Sequence, residues 1–135
     1  MLNKKVLILD NDKDFLSELE ETLSLSGYDM IAVDDSREVL AIIDKVKVDL
    51  VLLDLKMPKK TGFDVAYELN RSPHLNHIPV MAMTGFYKEE YEPLFVDCGI
   101  KRCLIKPFQP LDVINAIEEV LIKESRQALN TGLMG

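Results

Sequence analysis

Cysteine is scarce in this sequence. Its two copies, Cys98 and Cys103, lack CxxC spacing and have no histidine near them in the chain. That argues against a zinc site and against a disulfide framework. Two reduced, half-buried thiols fit a cytoplasmic protein, a compartment in which disulfides are rare. Long apolar runs are missing too. No stretch reaches about 18 residues, so no membrane-spanning helix is expected. The opening MLNKKVLILD carries two lysines and a short apolar run, but the run stops at Asp10 without a small-residue cleavage site. It reads as a buried strand rather than a signal peptide. Positive charge is in deficit: 16 Lys and Arg face 23 Asp and Glu, for a formal net charge of −7. A nucleic-acid surface needs a basic patch to neutralise phosphates. The lysines at 56, 59 and 60 read as a solvated loop instead, so direct nucleic-acid binding is not expected.

What is present is an alternation. The 135 residues suffice for one domain with a sizeable core and not for two. Continuous apolar runs occur at KVLILD (5–10), DLVLLD (49–54), PVMAMT (79–84) and KRCLIK (101–106), with a weaker, edge-like YDMIAV at 28–33. Runs apolar on both faces suit a parallel sheet covered on both sides by helices. Between them lie helical stripes: Phe15, Leu16, Leu19, Leu23; then Val39, Leu40, Ile43, Val46; then Val65, Ala66, Leu69; then Tyr91, Leu94, Phe95, Cys98; and last Val113, Ile114, Ile117, Val120, Leu121. Such stripes are core packing. Asp12 is placed to cap the first helix, and Asp35 followed by Glu38 resembles a capping box on the second. Gly27 and Gly99 stand where helices must end. Pro93 falls inside the fourth stripe, where it fits only a first helical turn, so Phe86–Glu92 reads as a turn or mobile loop. Five βα units result: a single doubly wound α/β domain with right-handed crossovers, spanning 1–125. Periodicity fades after Ser125, and 126–135 reads as a C-terminal tail or the start of a linker.

Ligands of open parallel sheets bind beyond the carboxyl ends of the strands, at the switch point. In strand order 2-1-3-4-5, Asp10 and Asp54 flank that point. Four apolar runs here end in Asp10, Asp54, Thr84 and Lys106. Any one of them could simply end a strand; all four together point to a site. Two neighbouring carboxylates repel each other and favour a hard dication, and Mg2+ takes a few carboxylate oxygens, water and phosphate. An aspartate, with an unperturbed pKa of about 3.9, is already ionised near neutrality and can attack phosphorus without a base. A lysine and a metal would neutralise the phosphoryl oxygens, and a threonine hydroxyl would bond one of them.

VLILDND, DLVLLDLKMPKKTGFDV, PVMAMTG and CLIKPF together resemble the receiver domain of bacterial response regulators, over about residues 3–124. The resemblance implies a flavodoxin-like fold and a phospho-acceptor in a two-component phosphorelay, rather than an enzyme acting on a separate substrate. It implies Asp54 as acceptor, with Thr84 and Lys106 at the phosphoryl group and room for Thr84 left by Gly85. It implies Mg2+ held by Asp10, Asn11, Asp54 and the backbone carbonyl of Lys56, and a cis Lys106-Pro107 bond. The implied partners are a sensor histidine kinase or phosphotransfer protein, with a homodimer through the face of the fourth helix, fifth strand and fifth helix left open.

This sequence departs from the family pattern at three places. Asn11 replaces the second of two adjacent acids, Cys103 stands where relatives often carry an aromatic, and Pro93 interrupts the fourth helix. Two rival readings survive. One is a haloacid-dehalogenase-type phosphatase, with Asp10 as nucleophile and Asp12 as acid/base. It leaves Asp54 without a role and lacks a later acidic pair. The other is a receiver-like binding module that no longer takes phosphate. Asn11 removes one negative charge, and a unit pair at 4 Å is worth about 1–4 kcal/mol at effective dielectrics of roughly 80–20. Asn11→Asp should therefore tighten Mg2+ binding several-fold in titrations at one ionic strength. No gain would mean that residue 11 does not face the metal, or that Asp12 already supplies the charge.

Overall fold

The computed structural model describes residues 3–134, with side chains from 3 to 129. The chain runs β1 (Lys4–Leu9), α1 (Lys13–Leu25), β2 (Tyr28–Val33), a single 3-10 turn (Ser36–Glu38), α2 (Val39–Lys45), β3 (Leu50–Asp54), α3 (Gly62–Arg71), β4 (Val80–Thr84), α4 (Tyr91–Asp97), β5 (Ile100–Ile105) and α5 (Pro110–Met134). Its five strands form one sheet in the order β2-β1-β3-β4-β5, and every neighbouring pair is parallel. The alternation of runs and stripes predicts the βα units, and the strand order is the flavodoxin-like one that the family resemblance implies.

Strand side chains alternate between faces, so each apolar run feeds two cores. Val6, Ile8, Leu50, Leu52, Met81 and Met83 pack beneath the stripes of α1 and α5. Leu7, Leu9, Val51, Leu53 and Val80 pack beneath α2 and α3. Leu55, Ala82 and Phe95 form a smaller cluster under α4. The four residues of β1 from Val6 to Leu9 have no exposed surface, which is why no polar residue interrupts the run until Asp10.

The boundaries follow from local chemistry. Asp12 caps α1, its carboxylate accepting the Phe15 amide at 3.1 Å. Gly27 and Gly99 take positive φ of 87° and 68°, as helix-ending residues do. Gly99 also fits closely against α3: a side chain there would begin 2.6 Å from Asn70 Oδ1. Asn70 Nδ2 in turn donates to the Asp97 carbonyl at 3.2 Å, capping the last turn of α4 from a neighbouring helix. At the other end of α4, Glu90 supplies no side-chain cap. Pro93 occupies the first turn as expected, but that turn begins at Tyr91, so only the residues before it form the loop.

One expectation needs correction. Asp35 does not open a capping box on α2. Its carboxylate takes the Arg37 amide at 3.0 Å and both arms of the Arg37 guanidinium at 3.0 and 2.7 Å. A bidentate ion pair uses up the carboxylate locally, so a 3-10 turn forms and α2 starts only at Val39, without a side-chain cap. The capping box lies on α3 instead, where Thr61 Oγ1 accepts from the Asp64 amide and Asp64 Oδ2 from the Thr61 amide. The tail expected over 126–134 is helical and continues α5 to Met134. Periodicity fades at Ser125 because the helix leaves the sheet there: residues 125–129 are all exposed, so no core dictates their pattern.

Candidate functional site

The sheet delivers its polar residues to one edge. Asp54 is the last residue of β3 and Thr84 the last of β4, while Asp10 and Lys106 stand one residue beyond β1 and β5. Backbone bonds fix the overhang: Asp10 N donates to the Val33 carbonyl at 3.0 Å, and Lys106 N to the Thr84 carbonyl at 2.8 Å. The Lys106-Pro107 bond is cis. Asp10 and Asp54 are buried, with 1% and 6% of their surface exposed.

Three of the expected site residues meet. Lys106 Nζ lies 2.6 Å from Asp10 Oδ2 and 3.3 Å from Asp54 Oδ2, although 96 and 52 residues separate them in sequence. The remaining carboxylate oxygens are held by backbone amides: Asp10 Oδ1 accepts from Asp12 N at 2.9 Å and Asp54 Oδ1 from Lys56 N at 3.0 Å. Burial raises the Asp54 pKa, and the Lys56 amide and the Lys106 ammonium only partly oppose it. For Lys106, burial works against the charged form, yet the bonds and charges of Asp10 and Asp54 outweigh it and its pKa is raised. The ammonium also lies 4.9 Å from the centre of the Phe15 ring on α1, a cation–π contact.

The other expected residues are placed differently. Thr84 is fully buried, but its hydroxyl does not reach Asp54. It accepts from the Phe86 amide at 3.2 Å and donates to the Phe86 carbonyl at 3.4 Å. Asn11 is exposed beside Asp10. Lys56 is exposed, with its ammonium 5.1 Å from the Phe86 ring, and Lys88 approaches the same ring at 5.7 Å. Phe86 thus links the β3–α3 and β4–α4 loops at the rim of the site. Cys103 is half-buried, and burial with the nearby Glu92 pushes its thiol up to about 11. Aromatic bulk in that region comes from Tyr87, Tyr91 and Phe95.

Gly62 is a contributor that pattern reading passed over. A Cβ there would lie 2.3 Å from the Asp54 carbonyl oxygen and 2.9 Å from Leu55 Cα, so only glycine lets α3 begin against the strand that carries Asp54. A glycine at the first position of a helix following such a strand was the available signal. The ring partner Phe15 had none, because it reads equally well as core, whereas Phe86 stands out by its place two residues past Thr84.

The charge of the cluster suits a cation. Two buried carboxylates face one ammonium, leaving one negative charge uncompensated. Among the described residues, no group of three or more His, Cys, Asp or Glu side chains converges. Were a cation held there, the Asn11 amide and the Lys56 carbonyl would be neighbouring oxygens in the chain. An all-oxygen set suits a hard dication such as Mg2+.

The family model for the response regulator receiver domain matches residues 6–118. The chain belongs to this family. It is 30% identical over 133 residues to a probable transcriptional regulator, ycf27, of Porphyridium aerugineum, covering 98% of this chain and 54% of that protein. The alkaline phosphatase synthesis transcriptional regulatory protein PhoP of Bacillus subtilis is 31% identical over 127 residues, covering 94% and 52%. The receiver thus spans about half the length of these relatives. Among solved structures, the chemotaxis protein CheY4 of Vibrio cholerae superposes with a TM-score of 0.82 at 26% identity, covering 87% of this chain and 98% of that one. Receiver domains are signalling phospho-acceptors that work with histidine kinases or phosphotransfer proteins and bind Mg2+ at the phosphorylation site. No helix among the described residues is long and apolar enough to cross a membrane.

The charge state of Asp54 has a measurable consequence. Its carboxyl pKa is raised in the fold, so the ionised form costs the native state free energy above the ordinary carboxylate range and nothing below it. Asp54→Asn should therefore melt at a higher temperature than the wild type at neutral pH, and the gap should close as pH falls through that range. An equal or lower melting temperature at neutral pH would show that Lys106 outweighs burial.

Proposed function

We propose that this receiver accepts a phosphoryl group on Asp54 from a histidine kinase or phosphotransfer protein. The observation that carries the proposal is the meeting of Asp10, Asp54 and Lys106 at the carboxyl edge of the sheet. A carboxylate whose pKa is raised by burial is a more basic and hence better nucleophile than a free one. In the transfer, an oxygen of Asp54 bonds to phosphorus as the bond between phosphorus and the donor nitrogen breaks, and the nitrogen keeps the electron pair. Lys106 then stabilises the phosphoryl oxygens. Mg2+, held by Asp10, Asn11, Asp54 and the Lys56 carbonyl, supplies neutralisation of phosphoryl charge when bound. Water attack on the acyl phosphate returns Asp54 to its starting state.

The engagement of Asp12 as the cap of α1 speaks against its use as the acid/base of a phosphatase. Asn11 leaves a non-phosphorylated binding module as the alternative. On the phosphorylation reading, Thr84 releases Phe86 and turns to the phosphoryl group, and the loop before α4 rearranges. The response reaches the face of α4, β5 and α5, where Val96, Ile105 and Leu111 are exposed beside the Arg102–Glu119 ion pair. That face is where a homodimer or an output partner would bind. Residues 1–125 form the receiver unit and 126–135 its tail or the start of a linker. The domain works in the cytoplasm and has no direct contact with nucleic acid or membrane.

Incubation with a small phosphodonor and Mg2+, followed by mass spectrometry, should place the label on Asp54 alone. Label on Asp10, or undiminished labelling of Asp54→Asn, would revive the phosphatase. With beryllofluoride as the phosphoryl mimic, amide hydrogen exchange should change mainly within residues 85–105 and leave α2 unaffected. A bound mimic with no response there would move signal transmission to another surface.

A further inference from the structure

We propose that Phe15 is a positioning residue for phosphoryl transfer, its ring face holding the Lys106 ammonium beside the site while negative charge passes from Asp54 to the phosphoryl oxygens. This role rests on the function proposed above. It adds to the site a residue of α1, a helix that supplies none of the expected polar groups.

Lys106 has three partners of two kinds. Asp10 Oδ2 and Asp54 Oδ2 take its ammonium at 2.6 and 3.3 Å, and the centre of the Phe15 ring lies 4.9 Å from the same nitrogen. The ring is itself held in place. It meets the Phe108 ring edge-on, with centroids 5.8 Å apart and planes at 65°, and both rings pack against the core beneath α1 and α5. The segment that follows β5 therefore touches one aromatic ring twice, with the charge of Lys106 and with the ring of Phe108. Leu16, Leu19 and Leu23 are the buried residues that fasten α1 to the sheet. Phe15 stays half-buried beside them, and packing alone would be served as well by a leucine.

The demand on the ring comes from the reaction. Lysine is a point charge on a flexible stem, and the Lys106 side chain is 28% exposed, so water is open to it. As an oxygen of Asp54 bonds to phosphorus, the carboxylate charge that helps to hold the ammonium is lost. The charge that needs the ammonium then stands on the phosphoryl oxygens. Asp10 keeps its charge, but its hydrogen bond is directional and does not carry the ammonium to the new oxygens. Attraction to the face of an aromatic ring has no single bonding direction and does not change with events at Asp54. It keeps the ammonium beside the site through the change of partner, and so lowers the ordering cost of the transition state. A leucine at this position would fill the space and leave the lysine free to turn to solvent.

Replacing Phe15 with phenylalanines that carry one, two and three ring fluorines keeps its shape and weakens the negative potential over its face. With a small phosphodonor and saturating Mg2+, the rate of Asp54 labelling should fall with each added fluorine, to about one-fifth of wild type at three. Phe15→Leu should be at least as slow. Melting temperatures across the fluorinated series should stay level, because the ring still packs. A rate indifferent to fluorine, or one that falls only in step with the melting temperature, overturns the proposal. A second readout needs no phosphoryl transfer. The ε-methylene protons of Lys106 should resonate upfield in wild type relative to Phe15→Leu, shifted by the ring current; equal positions overturn the proposal. If wild type takes no label on Asp54, the function proposed above falls and this role with it. If Asp54 is labelled at a rate that ignores the ring, the function stands and the role of Phe15 falls.

Discussion

Two like charges buried side by side are the constraint on which this structure turns. Placing Asp10 and Asp54, both buried, at the ends of adjacent strands costs free energy, because taking a charge out of water is unfavourable unless it is paired. Everything around them answers that cost. Backbone amides two residues on take one oxygen of each, and the ammonium of Lys106 spans the other two. The lysine reaches them from the far edge of the sheet, so the charge cluster ties together three elements that share no local sequence. The site is a region where the fold accepts electrostatic cost for chemistry, while the layers of apolar side chains above and below β1 and β3 supply the stability that tolerates it.

Precision at the site comes from backbone rather than from side chains. Parallel pairing aligns Leu9 with Leu53, Asp54 with Met83 and Thr84 with Ile105, so strand register alone decides how far each polar residue overhangs. Gly62 adds a steric stop, holding the start of α3 against the carbonyl of Asp54. The lysines at the rim are set differently. Lys56 and Lys88 lean on Phe86, a contact between exposed side chains on two loops.

How much of this was legible in the sequence depends on the range of the interaction concerned. Strand runs, helical stripes and the polar residue at each strand end are periodic or positional signals, and they located the fold and the cluster of Asp10, Asp54 and Lys106. Asp35 misled because a capping box and an ion pair with Arg37 use the same residue types at nearly the same spacing. The helical state of the end of α5 was not legible, because a helix can outlast the core that patterns it. Thr84 was found as a residue and not as a geometry. Whether its hydroxyl faces Asp54 or Phe86 is a rotamer choice between two nearby partners, and no pattern in the chain encodes it. Gly62 and Phe15 act through contacts with residues distant in space-filling detail, which spacing does not report.

The cap that Asn70 provides has a mechanical meaning for α4. The last turn of that helix is fastened to α3 through the Asp97 carbonyl, and a side chain at position 99 would collide with the Asn70 that makes this bond. Its first turn follows Glu90, which offers no side-chain cap, and connects to a loop held by the hydroxyl of Thr84. A short helix pinned at one end behaves as a door hung on that edge. Any swing about the Asp97 end would be widest at Tyr91, and the aromatic contacts of Tyr91 with Phe63 and Tyr87 are the ones that it would open or close first.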